Sequence, residues 1–426
     1  MPKPGGALPA PILAGGAWVY FAPWGTSNAQ AMKVFIDTYE ARKIPIDSWW
    51  IDAGWYDCDA SVPLTGYSIW DHTGTWSADR HRFPNGLGEV CGHASKKGYK
   101  NILWFEPERV RPGTWLAEKH PEWLLAAPSD PTLMNNDGKN LLLDLGNPAA
   151  LRWMLKRIDG IIKKEGVTVY REDFNIDPLA YWRANDTADR QGISEINHVK
   201  GHLRLWDELL RRNPGLLIDV CASGGRRNDL EALRRAVPLW RSDYAPALTP
   251  SGESATFRLD ANQSMTMGIA SWIPYFGSGV STVDAYQFRS SMGSSLVFDL
   301  DLRRPDIDLA LWRRLCVQFK QVAPYFLGDY YPLTDYSLDN TVWMAWQFDC
   351  PENGEGMVQA FRREKCAEKE ITLRLRGLQP DASYSVTDID RQEPRSISGR
   401  ELMDNGLPME ADTAPAALVF VYKMMK

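Results

Sequence analysis

The stretch VTVYREDFNIDP at residues 167–178 takes an apolar run directly into a dense group of polar side chains. Its first four residues are β-branched or aromatic, which predicts a buried strand. Arg171, Glu172, Asp173 and Asn175 follow at once, where a buried strand would ordinarily end in a turn rich in Gly, Asn or Ser. Polar side chains concentrated at the carboxyl end of a strand are typical of parallel barrels, whose functional residues lie at that end.

The segments on both sides repeat this alternation of apolar runs and amphipathic stretches. The other apolar runs lie at 17–23, 47–55, 101–108, 216–223, 238–243, 268–274 and 294–300. A helix is predicted at 148–165, which ends in Lys and Gly as helix C-termini prefer. Continuous apolar strands separated by helices predict an α/β fold, a (β/α)8 TIM barrel. An open doubly wound sheet is the alternative, but its usual Gly-rich phosphate loop does not follow the first predicted strand.

The pattern changes after about residue 330 to short strands bounded by Gly, Pro, Asp and Asn. They are predicted at 341–348, 356–363, 371–378, 383–390 and 417–424. The stretch ITLRLR at 371–376 alternates apolar and polar residues, as a half-buried antiparallel strand does. We therefore predict a barrel over residues 1–330 and a C-terminal antiparallel β-sandwich domain over residues 331–426.

Composition and charge exclude several classes of partner. The formal net charge is −6 with no block rich in Lys or Arg, so neither nucleic acid nor an anionic membrane is expected as a partner. No apolar run approaches the roughly 20 residues of a membrane span, and residues 1–23 make a poor signal peptide. Six scattered cysteines favour reduced thiols, and hence a cytoplasmic location. Six histidines without HxH or HExxH spacing give no support for a metal site, and no cofactor is expected.

Acidic residues and tryptophans gather at the predicted strand ends. The chain has 18 tryptophans, and Trp49, Trp50, Trp55, Trp104 and Trp240 lie where strands end, where they could stack on the flat face of a sugar instead of filling the core. The acids at strand ends are Asp52, Glu106, Glu108, Glu172, Asp173, Asp243 and Asp299. For any one acid, a buried ion pair or a helix cap is the simpler interpretation. A ring of carboxylates without clustered His or Cys, walled by tryptophan, nevertheless indicates glycoside cleavage.

Five motifs in order carry a resemblance to a known family. They are WFEPERV at 104–110, YREDFNIDP at 170–178, CASGGRRND at 221–229, WRSDYAP at 240–246 and FGSGVS at 276–281. From about residue 15 to 330 the sequence resembles glycoside hydrolase family 36, the melibiase-type α-galactosidases. The resemblance implies a (β/α)8 barrel with a C-terminal β-domain. Longer members begin with an N-terminal β-sandwich, which this chain is expected to lack.

The resemblance also implies a pair of catalytic carboxyls. The nucleophile of the family falls on Asp173, and its general acid/base falls on Asp243. The mechanism would retain the anomeric configuration, which requires the two carboxyls to lie about 5–5.5 Å apart. Asp243 should be protonated more easily than Asp173.

The same motifs imply a set of substrate-binding residues. Asp52 matches a residue that holds O4, Arg171 stands where the family has a sugar-binding lysine, and Asn175 matches the asparagine near O2. The full set is Asp52, Trp55, Trp104, Arg171, Asn175, Cys221, Gly224 and Arg227. The expected partner is an α-galactoside oligosaccharide or glycoconjugate. Family members often form oligomers, so a homo-oligomer is an open expectation.

Four departures from the family pattern bear on specificity. Ala53 replaces the second aspartate of a pair, Glu172 replaces an aromatic residue, and Arg226 occupies a usual glycine. The arginine expected just before LLLDLGNP is absent, with Gly138 near that place. For Glu172, an ion pair with a nearby arginine is the favoured interpretation. The alternatives to an α-galactosidase are an α-N-acetylgalactosaminidase, a sugar-binding barrel that has lost turnover, and a metal-dependent barrel hydrolase.

Overall fold

The computed structural model describes residues 1–2, 7–16, 27–57, 68–128, 130, 138–244, 253–391 and 393–425. Its first unit is a parallel sheet with the strands β1 (Ile12–Gly16), β2 (Ser48–Ile51), β3 (Lys100–Phe105), β4 (Val169–Glu172), β5 (Leu217–Val220), β6 (Ala236–Val237), β7 (Gly277–Val280) and β8 (Ser295–Asp299). The strand order is β7-β8-β1-β2-β3-β4-β5-β6, and every pair in it is parallel.

Two backbone hydrogen bonds close this sheet into a barrel. The N–H of Gly277 on β7 donates to the carbonyl of Pro238 just after β6 (2.9 Å), and the N–H of Arg241 donates to the carbonyl of Gly277 (3.0 Å). The sequential strand order around the ring is that of a (β/α)8 barrel. The predicted fold class is confirmed.

Helices cover the outside of the barrel. They are α1 (Ala29–Ala41), α2 (Gly88–Lys96), α3 (Trp115–Lys119), α4 (Pro148–Glu165), α5 (Leu179–Ala184), α6 (Ile193–Arg212), α7 (Leu230–Leu233), α8 (Glu253–Ile269), α9 (Ala285–Ser291) and α10 (Leu309–Val322). In α4, the side chain of Asn147 accepts from the N–H of Ala149, and Gly166 ends the helix at a φ of 74°. The predicted bounds 148–165 are those of α4, and the Lys and Gly that marked its C-terminus in the sequence are confirmed there.

Alternate residues of each strand supply two separate apolar layers. Trp50, Ile102 and Val169 belong to a cluster inside the barrel, whereas their neighbours Leu103 and Tyr170 pack in the layer between strands and helices. This alternation has the period of two that a β-strand imposes. It fixes which side chains beyond the strand ends turn towards the barrel axis.

The structure places the sixth and seventh strands elsewhere than predicted, and the run at 238–243 follows β6, which is Ala236–Val237. The run at 17–23 lies outside the described residues, and β1 occupies Ile12–Gly16. The run at 268–274 is the end of α8 and a turn, apolar because Ala270 and Ile273 pack in the core. The seventh strand follows at β7, where a Cβ on Gly277 would come within 2.1 Å of the Leu239 carbonyl oxygen. Close approach of the backbones requires glycine there, so the hydrophobic signal of this strand is weak.

The remaining strands form two antiparallel sheets after the barrel. They are β9 (Asp329–Pro332), β10 (Trp343–Cys350), β11 (Glu355–Arg362), β12 (Glu370–Leu373), β13 (Ser383–Asp388), β14 (Pro394–Ser398), β15 (Leu407–Glu410) and β16 (Ala416–Met424), with α11 at Gly399–Asp404. One sheet has the order β9-β10-β11-β16-β13-β14, and β12 pairs with β15 in the other. Leu373 and Leu375 are buried between the sheets while Arg374 and Arg376 are exposed, so the alternation in ITLRLR is confirmed.

Short strands at Arg109–Val110, Leu124–Leu125 and Leu141–Leu143 form a separate antiparallel sheet near the end of β3. Among the described residues no helix has both the length and the apolarity needed to cross a bilayer. The described cysteines, Cys91, Cys221, Cys316, Cys350 and Cys366, are all buried free thiols.

Candidate active site

The alternation of β4 divides its polar residues between two faces. Arg171 and Asp173 turn towards the barrel axis, because Val169 already lies in the inner apolar cluster. Glu172 turns the other way and contacts His202 and Trp206 of α6. The polar residues at the end of β4 therefore belong to two clusters. Arg171 and Asp173 face the mouth of the barrel, and Glu172 lies in a second cluster behind it.

Asp173 accepts four hydrogen bonds. Its Oδ1 accepts from the backbone N–H groups of Phe174 (2.8 Å) and Ser223 (3.0 Å), and its Oδ2 accepts from Asn175 Nδ2 (2.8 Å) and Trp104 Nε1 (3.3 Å). Burial alone would raise the pKa of Asp173, but the Arg171 charge and the hydrogen bonds hold this pKa below its ordinary value. The carboxylate is thus kept ionised and fixed in orientation.

Arg171 lies between further acids inside the barrel. Its Nη1 donates to Asp219 Oδ2 (2.5 Å), its Nε lies 3.7 Å from Asp52 Oδ2, and its guanidinium stacks over the ring of Trp50. Burial raises the pKa of both Asp52 and Asp219, although Arg171 opposes the shift in each case. Asp219, fully buried on β5, escaped the sequence analysis because its run LLIDVCAS reads as an apolar strand.

Asp243 lies beyond β6 with its side chain exposed. Its Oδ1 accepts a hydrogen bond from Trp240 Nε1 (2.8 Å). Desolvation by the surrounding protein, followed by repulsion from Asp173, raises the pKa of Asp243. The pKa values of Asp173 and Asp243 therefore shift in opposite directions, which is the asymmetry that an acid and a nucleophile need.

The loop after β5 contacts both Asp173 and Asp243. A Cβ built on Gly224 would lie 2.5 Å from the backbone nitrogen of Asp243, and Gly224 has a φ of 83°. The preceding Ser223 donates its N–H to Asp173 and its Oγ to Asn175 Oδ1 (2.6 Å). Gly224 thus allows close packing of the loop, and Ser223 is a site residue that the motif comparison missed. A non-glycine residue at positive φ, here 45°, leaves no signal in the sequence.

Cys221 and the two predicted tryptophans are buried in the structure. Burial raises the pKa of the Cys221 thiol well above its ordinary value, so this residue is a neutral wall group. Trp104 is 1% exposed and directs its N–H at Asp173. Trp55, also 1% exposed, donates to the Trp104 carbonyl oxygen (2.8 Å), so it supports Trp104 from behind. This differs from the expectation that Trp55 presents a face to substrate, because neighbouring aromatic rings such as Phe105 cover it.

The cluster behind the site, which we term the outer cluster, consists of Glu108, Glu172, His202 and Arg227. Arg227 donates to both oxygens of Glu108 (2.6 and 2.8 Å), and its Nη1 lies 3.5 Å from Glu172 Oε1. The favoured interpretation of Glu172 as an ion-pair partner agrees with these contacts. Arg227 remains a predicted substrate-binding residue: each terminal nitrogen donates to Glu108, and its side chain is 18% exposed.

The outer cluster also contains metal-ligand chemistry. Ligand atoms of Glu108, Glu172 and His202 all lie within 4.8 Å of one another. The guanidinium of Arg227 already supplies a positive charge there, with Nη1 3.3 Å from His202 Nε2. Arg227 also holds the pKa of Glu108 well below its ordinary value, against the effect of burial. These side chains therefore form a buried ion-pair cluster, in which the charge of Arg227 balances the carboxylates.

Glu106 supports the loop that carries Asn175. Its Oε1 accepts from the backbone N–H of Asn175 (2.6 Å), and its Oε2 accepts from Arg109 Nη2 (2.5 Å). Burial raises the pKa of Glu106 to about 7. Glu106 thus positions Asn175, which in turn donates to Asp173, and the acid spacing in WFEPERV was the signal that pointed to it.

Comparison with known proteins agrees with this architecture. The melibiase family model matches residues 19–283, and the C-terminal domain model of glycosyl hydrolase family 36 matches residues 343–421. The chain is 26% identical over 365 residues to alpha-galactosidase 1 of Pediococcus pentosaceus, covering 84% of this chain and 47% of that protein. It is 31% identical over 214 residues to an alpha-galactosidase of Escherichia coli, covering 49% of this chain and 27% of that protein.

Solved structures show the same fold. The family 36 alpha-galactosidase AgaA of Geobacillus stearothermophilus superposes with a TM-score of 0.80 at 22% identity, over 97% of this chain and 55% of that one. This chain spans about half the length of the curated relatives it matches. Because the family model covers more than half of the sequence, the chain belongs to the melibiase family, glycoside hydrolase family 36.

Proposed function

We propose that this chain hydrolyses terminal α-linked galactose residues with retention of configuration, with Asp173 as nucleophile and Asp243 as general acid/base. The observation that carries the proposal is the contrast between these carboxyls. Asp173 is held ionised by Arg171 and four hydrogen bonds, whereas the pKa of Asp243 is raised. A retaining glycosidase needs this division of roles.

The two steps follow from the positions of the proton and the charge. Asp173 attacks the anomeric carbon while Asp243 transfers its proton to the departing glycosidic oxygen, which leaves a glycosyl ester on Asp173. Asp243, now ionised, takes a proton from water, whose oxygen attacks the anomeric carbon and releases Asp173. The Arg171 charge beside Asp173 keeps the carboxylate available at the start and the end of the cycle.

The inward polar groups suit a galactose ring. Asp52 and Arg171 form a charged pair that can accept from and donate to the hydroxyls on one side of the ring. Asn175 offers an amide on the other side, beside Ser223 and the neutral thiol of Cys221. Buried polar groups of this kind reject sugars that leave them unpaired, so they carry the specificity.

Related proteins support the substrate class. The curated relatives are named alpha-galactosidases, and solved structures of AgaA variants contain raffinose or stachyose. We infer that this chain acts on α-galactoside oligosaccharides of the same kind. The match covers about half of each relative, so the activity has to be measured on this chain itself.

The first test is nitrophenol release from nitrophenyl α-galactoside and nitrophenyl α-N-acetylgalactosaminide, with Asp173→Asn in parallel. We expect the galactoside to be cleaved faster and the substitution to abolish turnover. Preference for the acetamido sugar would assign the α-N-acetylgalactosaminidase specificity instead. Binding of galactose without cleavage of either substrate would contradict the proposal and favour a sugar-binding barrel that has lost turnover.

A further inference from the structure

The guanidinium of Arg226 joins the loops after β4 and β5. Its Nε donates to the Ala222 carbonyl oxygen (3.1 Å) and its Nη1 to Asp177 Oδ1 (2.7 Å). Its Nη2 donates to the Phe174 carbonyl oxygen (3.2 Å) and to Ser223 Oγ (3.0 Å). Four of its five N–H groups therefore bind protein atoms, and the rigid fork of the guanidinium fixes their relative positions.

Ser223 connects this arginine to the reacting carboxylate. Its φ of 45° lies in the left-handed region, which a residue with a Cβ adopts only when its surroundings hold it there. In this conformation its N–H donates to Asp173 Oδ1 (3.0 Å), while its Oγ donates to Asn175 Oδ1 (2.6 Å) and accepts from Arg226. The left-handed turn thus aims a backbone donor at Asp173.

We propose that Arg226 is a positioning residue, which holds Ser223 in its left-handed conformation and thereby fixes the Asp173 carboxylate for attack. This inference rests on the proposed function of Asp173. It assigns a role to an arginine at a position where the family resemblance leads one to expect glycine. Because four of its five N–H groups bind protein atoms, Arg226 is assigned a role that acts through Ser223.

The test compares Arg226→Met and Arg226→Lys with the unchanged chain. Methionine removes both the charge and the hydrogen bonds, whereas lysine keeps the charge but loses the fork. Arg400→Met is the control, because Arg400 on α11 forms an exposed pair with Asp381 (2.8 Å), as Arg226 does with Asp177 (2.7 Å). The readouts are kcat and KM on nitrophenyl α-galactoside across pH, together with the melting temperature.

We expect both Arg226 variants to lose about ten- to a hundredfold in kcat with a smaller change in KM, as a misplaced reacting group does. The acid limb of the kcat/KM profile should move to higher pH in both, because the Ser223 N–H lowers the pKa of Asp173 and would be withdrawn. Arg400→Met should match the unchanged chain in both respects.

Either of two results in solution would overturn the proposal. Full activity in Arg226→Lys would mean that charge alone matters, and a lower melting temperature without a shifted acid limb would mean a merely structural role. If the unchanged chain cleaves no α-galactoside, the proposed function fails by itself. Crystal structures of the chain and of Arg226→Met then decide about positioning: if the hydrogen bond from Ser223 N to Asp173 Oδ1 persists in the variant, the inference is wrong.

Discussion

At the residue scale, three carboxyls of the candidate site each accept a hydrogen bond from a tryptophan. Trp50 Nε1 donates to Asp52, Trp104 Nε1 to Asp173 and Trp240 Nε1 to Asp243. An indole offers a single donor on a large rigid ring, so each tryptophan fixes the rotamer of its acid while filling the barrel mouth. The tryptophans at the strand ends thus position acids. Composition alone does not distinguish this role from stacking on sugars.

We expect Trp240→Phe to move the alkaline limb of activity. The Trp240 hydrogen bond stabilises ionised Asp243 and lowers its pKa, so its loss raises the pKa of Asp243 further. In the proposed mechanism activity requires protonated Asp243 as the acid, so activity is lost as the pH rises through the pKa of this group. The alkaline limb of kcat/KM should therefore shift to higher pH, and the acid limb should stay in place. A shift to lower pH would contradict the assignment of Asp243.

A second residue-scale prediction concerns Arg227. Arg227→Met leaves the buried Glu108 without its bidentate partner, so we expect a loss of about 3 kcal/mol in the free energy of unfolding. Urea denaturation measures this loss. The exposed pair of Arg234 and Glu231 on α7 provides the control, and Arg234→Met should cost about 0.5 kcal/mol or less. Unchanged stability with a raised KM would contradict this prediction and would instead indicate that Arg227 binds substrate.

At the element scale, the backbone at Gly224 and Gly225, in the loop after β5, is packed too tightly to admit a Cβ. A Cβ on Gly225 would come within 2.3 Å of the Arg241 carbonyl oxygen, and one on Gly224 would meet the Asp243 backbone. The loops after β5 and β6 are therefore in direct backbone contact. A side chain at either glycine would have to displace the segment 241–243.

Gly224→Ala should separate packing from backbone strain. Gly215 has a φ of 89° with nothing within 4 Å of a built Cβ, whereas Gly224 at 83° meets Asp243 N at 2.5 Å. We expect both alanine variants to lose about 1 kcal/mol of stability from the positive φ. Only Gly224→Ala should also lose activity, by about a hundredfold, through displacement of Asp243. Equal activities of the two variants would refute the packing argument.

At the scale of the whole molecule, buried arginines tie the barrel to the C-terminal sheets. Arg363, fully buried beyond β11, donates to Gln263 Oε1 (3.1 Å) and to Ser264 Oγ (3.0 Å), both on α8. Arg289 on α9 binds both oxygens of Asp390 (2.7 and 2.8 Å). The helices that follow β6 and β7 therefore rest on the antiparallel sheets.

We expect Arg363→Met to destabilise the whole chain by about 3 kcal/mol, because it leaves buried carbonyl and hydroxyl acceptors unpaired. Chemical denaturation followed by far-UV circular dichroism measures the change. Arg374→Met, on the exposed face of β12 and its extension, is the control and should stay within about 0.5 kcal/mol. If Arg363→Met also behaves as a surface change, the two units are not coupled through this residue.

Particular residues explain how far the sequence could be read. The apolar strands, the C-terminus of α4 and the alternation in ITLRLR are local features, so β2 to β5, β8 and five of the eight strands described after the barrel were predicted, whereas β6 precedes the run predicted at 238–243. The seventh strand was misplaced because its glycines serve a contact with Leu239, which lies far along the chain. The predicted domain boundary at residue 330 falls inside β9, which pairs with β10 in the C-terminal sheet.

The sequence by itself determined the barrel, the family and the order of the acids, because periodicity and motif spacing are properties of neighbouring residues. Tertiary structure alone decided which acids face the same space. Successive residues along a strand face opposite sides, so Asp173 points to the barrel axis while Glu172 binds His202 of α6. The left-handed conformation of Ser223, in the loop after β5, directs its N–H at Asp173, which follows β4. Such assignments depend on contacts between distant segments, and electrostatic shifts follow from those contacts.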